Sequence, residues 1–163
     1  MSSEGLPPNG GDNGEIPPGR MQILAQYVKD LSFENPGAPI SQNFRPAIDL
    51  GVDLQARRRD ADQYELELRL RVSAKHEEKS VFLLELSYAA ILFVQGVPED
   101  VLSQLLLIEA PFMLFPFARR VVADTVRDGG MPPLMIEPID FAALYRAKAA
   151  EQQQQFVNPI AQA

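Results

Sequence analysis

Between Tyr64 and Ser73 every second residue is apolar: Tyr64, Leu66, Leu68, Leu70 and Val72 alternate with Glu65, Glu67, Arg69, Arg71 and Ser73. Successive side chains point to opposite faces only in a β-strand, so this period of two predicts a strand with one dry and one wet face. The same pattern predicts a strand over 21–34, where Met21, Ile23, Ala25, Tyr27, Leu31 and Phe33 share one parity, broken by Lys29. Gln22, Gln26, Asp30, Ser32 and Glu34 take the wet parity. A third such run sets Phe44, Ile48, Leu50, Val52 and Leu54 against Arg45, Asp49, Asp53 and Gln55. The stretch 80–94 breaks the rule: Phe82, Leu84, Leu86, Tyr88 and Leu92 are matched on the opposite parity by Val81, Leu83, Ile91 and Phe93. That predicts a strand covered on both sides. Polar turns are expected at 57–63 and at 76–79.

After these strands the period changes. Pro98, Glu99 and Asp100 suit the first turn of a helix, because proline lacks only an amide hydrogen that would be unpaired there and the acids meet the positive helix end. Val101 to Ile108 is apolar apart from Ser103 and Gln104. A separate helix is expected to end near Arg127, stopped by Gly129-Gly130. An extended link, 131–138, leads to a last helix with Asp140 as its N-cap and with Phe141, Leu144 and Tyr145 along one side.

Strands followed by helices give an α+β fold, a four-stranded antiparallel meander with helices packed on one face. A length of 163 residues fits one domain: a disordered Pro/Gly-rich arm over 1–20, a folded body over 21–150 and a flexible tail from Glu151. Strand four and the helix around Leu105 to Ile108 are apolar on more sides than one domain covers, which predicts self-association.

The composition narrows the chemistry. With no cysteine there is no disulfide scaffold, thiolate metal site or cysteine nucleophile. A net charge of −7 without a Lys/Arg stripe argues against nucleic acid as the main partner. The apolar tract 101–118 is interrupted by Ser103, Gln104, Glu109, Pro111 and Pro116, so direct membrane insertion is not expected. His76, the one histidine, lies in an acidic turn and reads as solvated. Asp60 and Asp62 adjoin Arg57, Arg58 and Arg59, which would repel a cation. The charges at Glu65, Glu67, Arg69 and Arg71 read as a solvated face worth little. No enzyme, metal or cofactor is expected.

Three segments, YVKDLSFENPGAP from Tyr27, APFMLFPFAR from Ala110 and GGMPPLMIEPIDFAALY from Gly129, resemble the bacterial protein-export chaperone family SecB, and the likeness runs from Met21 to about Ala149. It implies a cytoplasmic homotetramer, a dimer of dimers, that holds unfolded secretory precursors without ATP and delivers them to the motor ATPase SecA. It also implies a client-binding groove at Phe44, Ile48, Leu50, Val52, Phe141, Leu144 and Tyr145, and a SecA-binding surface at Asp30, Glu34, Leu83 and Glu85. The uncharged run from Gln152 to Ala163 departs from the charged tail with which the family docks on SecA. Two other readings share the fold: a SecB-like chaperone of a toxin-antitoxin system, and a small-ligand carrier using the same apolar groove.

Overall fold

The computed structural model describes residues 19–37 and 45–157. Four strands come first: β1 (Arg20–Glu34), β2 (Ala47–Asp60), β3 (Gln63–His76) and β4 (Lys79–Gln95). They form one antiparallel sheet in the order β1-β4-β3-β2. The meander expected from the sequence therefore holds for β2, β3 and β4, which are joined by tight turns. β1 lies beside β4, not beside β2, and this makes the sheet a Greek key. The strands are also longer than the alternation suggested. The turn expected over 57–63 shrinks to Ala61 and Asp62, where Arg58 donates to the carbonyl oxygens of Asp60 and Ala61.

Helices cover one face. The sheet side of the core is Leu66, Leu68, Leu70 and Val72 of β3 with Leu84, Leu86, Ala90 and Leu92 of β4. Leu114, Ala118, Val122 and Val126 of the overlying helix complete it. Spacings of four residues place these on one helix stripe, the geometry that lets a helix lie flat on a pleated surface. β4 is buried on its other face as well, at Ala89 and Ile91.

The two helical stretches expected after β4 are one continuous helix. It runs through α1 (Glu99–Gln104), a π-helical segment (Leu105–Glu109) and α2 (Ala110–Asp128). Pro111 does not break it because the turn just before is widened: the Ala110 amide donates to the Leu105 carbonyl, five residues back. That takes up the crowding between the proline ring and the preceding turn. By length and composition this helix could cross a bilayer, but here its apolar stripe is the core of the domain. It ends at two glycines for two reasons. Gly130 has φ +86°, the left-handed conformation of a helix stop, while a Cβ on Gly129 would lie 2.6 Å from the Phe33 ring. Asn35 Nδ2 also donates to the Gly129 carbonyl at 2.9 Å, tying the end of β1 to this helix end.

The last helix, α3 (Phe141–Val157), starts as the sequence predicts: Asp140 Oδ1 accepts from the Ala143 amide at 2.9 Å. α3 continues into the segment expected as a flexible tail from Glu151, as far as Val157. Residues 1–18 of the expected disordered arm, and the tail beyond Val157, lie outside the described residues.

β1 corrects the parity reading. Ile23 pairs with Leu92 but Ala25 pairs with Ile91; Val28 pairs with Tyr88 but Asp30 pairs with Ser87. Leu24 and Lys29 are thus extra residues, and each bulge exchanges the two faces of the strand. Ala25 and Tyr27 turn away from the helices, while Gln26 and Val28 turn toward them. The second bulge returns Leu31 and Phe33 to the helix side, where Phe33 lies 5.8 Å from Phe82, ring centre to ring centre.

Candidate functional site

Two surfaces bring together the residues singled out from the sequence. The first is an apolar groove on the helix side of β2, the sheet's far edge. At one end a depression of about 220 Å³ is lined by Val52 and Leu54 of β2, Leu107 of the π segment, and Leu144 and Tyr145 of α3. At the other end a depression of about 400 Å³ is lined by Pro46, Ile48, Phe82, Met131 and Leu134. Leu50 lies on β2 between the two, half-buried. The groove exists because β2 alternates apolar residues toward the helices but α3 only flanks that edge, leaving Ile48 42% exposed.

Of the expected client contacts, Ile48, Val52, Leu144 and Tyr145 line these depressions. Phe44 lies outside the described residues. Phe141 departs from expectation: it is 2% exposed, edge-on to Phe115 with ring centres 6.2 Å apart, and it anchors α3 from beneath. Leu54, Leu107, Met131 and Leu134 were not expected in the lining. Leu54 was readable as the next residue of its parity, but the others needed the fold.

The second surface is the sheet face away from the helices. Register sets Glu34 opposite Leu83 and Ser32 opposite Glu85, so Asp30, Glu34, Leu83 and Glu85 share this face. One row crosses the whole sheet: Asp30 opposite Ser87, Ser87 opposite Arg69, Arg69 opposite Asp53. Glu85 is paired with Arg71 at 3.1 Å. A shallow concavity of about 730 Å³ is lined here by Asp30, Asp53, Glu67, Arg69, Arg71 and Glu85, among others.

The charged residues of β3 are not merely solvated. Glu67 is 4% exposed and accepts from Arg69 Nε at 2.7 Å, Ser87 Oγ at 2.6 Å and Lys29 Nζ at 3.2 Å. Burial alone would push its carboxyl up, but these donors outweigh burial and hold it at about 2. Beside it Glu65 accepts from Lys29 Nζ and the Tyr27 hydroxyl, which lower its pKa. Tyr27 reaches Glu65 only because the first bulge of β1 has turned it outward. Among the described residues no cluster of His, Asp and Glu could hold a metal ion.

Residues 15–153 match the family model for preprotein translocase subunit SecB. A protein-export protein SecB from Maricaulis maris is 50% identical over 145 residues, covering 86% of this chain and 83% of that protein. Another, from Zymomonas mobilis, is 45% identical over 154 residues and covers 93% of each. Among solved structures, a SecB-like chaperone of Mycobacterium tuberculosis in complex with an antitoxin peptide aligns with a TM-score of 0.63 at 19% identity, over 74% of this chain and 91% of that one. Sequence and fold agree across the body that carries both surfaces, and the chain belongs to the SecB family of protein-export proteins.

Proposed function

We propose that this chain is an ATP-independent chaperone that holds unfolded secretory precursors for export and passes them to the motor ATPase SecA. The observation that carries the reading is the groove beside β2: Val52, Leu144 and Tyr145 line one depression and Ile48 another farther along the strand, so the partly exposed apolar lining runs along β2 instead of closing into one small cavity. Such a surface suits a long flexible chain, whose affinity comes from many modest apolar contacts. The export reading is favoured over a toxin-antitoxin role because relatives at 43–50% identity bear the name protein-export protein SecB. The antitoxin-bound neighbour is only 19% identical.

The client would contact Ile48, Leu50, Val52, Leu144 and Tyr145, with Phe141 holding the helix beneath them. SecA would dock on Asp30, Glu34, Leu83 and Glu85. A homotetramer in the cytoplasm completes the reading. Its support is a face of the long helix with Val101, Phe112, Met113 and Phe117 exposed, Phe112 by 68%, together with Leu24 and Val28 on the edge strand β1. The test is to titrate one secretory precursor in its unfolded and folded forms. Tight binding of the unfolded form alone is expected; equal binding of both would sink the chaperone reading.

A further inference from the structure

Lys148 Nζ on α3 bonds Asp53 Oδ1 on β2 at 2.7 Å, and this pair joins two surfaces that the sheet otherwise separates. Asp53 belongs to the face away from the helices, at the end of the row that begins at Asp30. Lys148 belongs to the helix that walls the groove, one turn beyond Leu144 and on the same helix face. Its side chain therefore reaches around the β2 edge. Phe141 fixes the start of α3 against Phe115. Farther along, Lys148 makes the one side-chain hydrogen bond from α3 to the sheet among the described residues. Both partners are 52% exposed, so the pair is open to competition from another cation.

We propose that Lys148 and Asp53 form a coupling latch: a Lys- or Arg-rich partner segment docking on the outer sheet face competes for Asp53, frees Lys148, and loosens the groove's hold on its client. The inference rests on the groove and docking face of the proposed function and adds the link between them. When the latch opens, α3 keeps its apolar packing at Phe141 and Leu144 but loses its polar tie to β2, so the wall beyond Leu144 loosens and holds the client less firmly. Exposed pairs contribute little each, and the effect is correspondingly modest, about two- to five-fold in client release. Linkage makes the equilibrium effect reciprocal: an empty groove favours partner docking by the factor by which docking lowers client affinity.

The test uses the full-length protein and a fluorescent, unfolded apolar peptide as client. Lys148→Gln and Asp53→Asn should each release the peptide about two- to five-fold faster than the unsubstituted protein. The exchange Lys148→Asp with Asp53→Lys should restore the slow rate. Unchanged release in both single variants would overturn the latch. A saturating arginine-rich peptide, its binding followed separately by anisotropy, should speed release from the unsubstituted protein and leave Lys148→Gln unaffected. If the basic peptide binds without changing release, or speeds both proteins equally, the coupling is wrong while the docking face survives. If the basic peptide does not bind, the docking reading falls and the coupling with it; if the client peptide does not bind, the groove reading falls likewise.

Discussion

Lys29 Nζ sits 3.2 Å from Glu67 Oε2, so the residue that interrupts the alternation of β1 closes a charge network two strands away on β3. The bulge at Lys29 lets both things happen: the extra residue reaches across β4, and the residues after it regain their faces.

Glu67 contributes to the acid response, as do Glu65 and Asp53, whose carboxyls are also lowered. The folded Glu67 carboxyl titrates at about 2, whereas an unfolded glutamate titrates near about 4.3. Its stabilising contribution is therefore complete above the unfolded value and fades as pH falls toward the folded one. Glu67→Gln should cost about 1–3 kcal/mol at neutral pH, since Arg69, Lys29 and Ser87 lose a buried, charged acceptor. Urea unfolding at neutral pH and near about pH 3 should show a smaller difference between the two proteins at the lower pH. A constant difference would remove the ionised carboxylate as its cause.

Phe141 and Leu144 should separate stability from binding. Phe141→Ala removes a buried ring and should cost about 3–5 kcal/mol, read as a lower urea midpoint. Leu144→Ala with Tyr145→Ala, on half-buried groove positions, should weaken unfolded-client binding while leaving the oligomer intact. Client affinity unchanged in that double variant would take α3 out of the groove.

Assembly should depend on the exposed face of the long helix. Light scattering is expected to give a mass near four times 18.1 kDa, and Phe112→Ser with Phe117→Ser should shift it to a smaller species. A monomer in the unsubstituted protein would contradict the tetramer.

The outer face should bind SecA in a salt-dependent way, because charge attraction is screened beyond about 8–10 Å at ordinary ionic strength. Asp30→Ala with Glu85→Ala should lower the affinity, more at low salt than at high. Since Glu85 is already paired with Arg71, Asp30→Ala alone should carry the larger share of the loss. Unchanged affinity of the double variant in a folded oligomer would return these carboxylates to solvent.

The hairpin between β3 and β4 turns on Glu77 and Glu78 at φ 48° and 69°. Both angles suit Asn and Gly better than glutamate. Glu77→Asn with Glu78→Gly should stabilise the fold by about 1 kcal/mol, seen as a higher melting temperature with client binding unchanged. A lower melting temperature would show that the glutamates hold the turn by their side chains.

The sequence by itself determined what is local. Alternation marked β2 and β3, the double-sided apolar pattern marked β4, Asp140 announced α3, and Gly129-Gly130 ended the long helix. The residues from Tyr27, Ala110 and Gly129 were enough to place the chain in its family. Only the tertiary structure decided the rest. That β1 lies beside β4 depends on a pairing between residues far apart in the chain, for which neither strand carries a local mark. The bulges at Leu24 and Lys29 are visible only against the partner strand, so the parity of Tyr27 could not be read in isolation. The two helices expected after β4 are one, because the π turn before Pro111 accommodates the proline. Glu67 and Phe141 looked like a solvated charge and a groove wall, yet both are buried. Periodicity reports which side chains share a face, whereas burial depends on what the rest of the chain brings against that face.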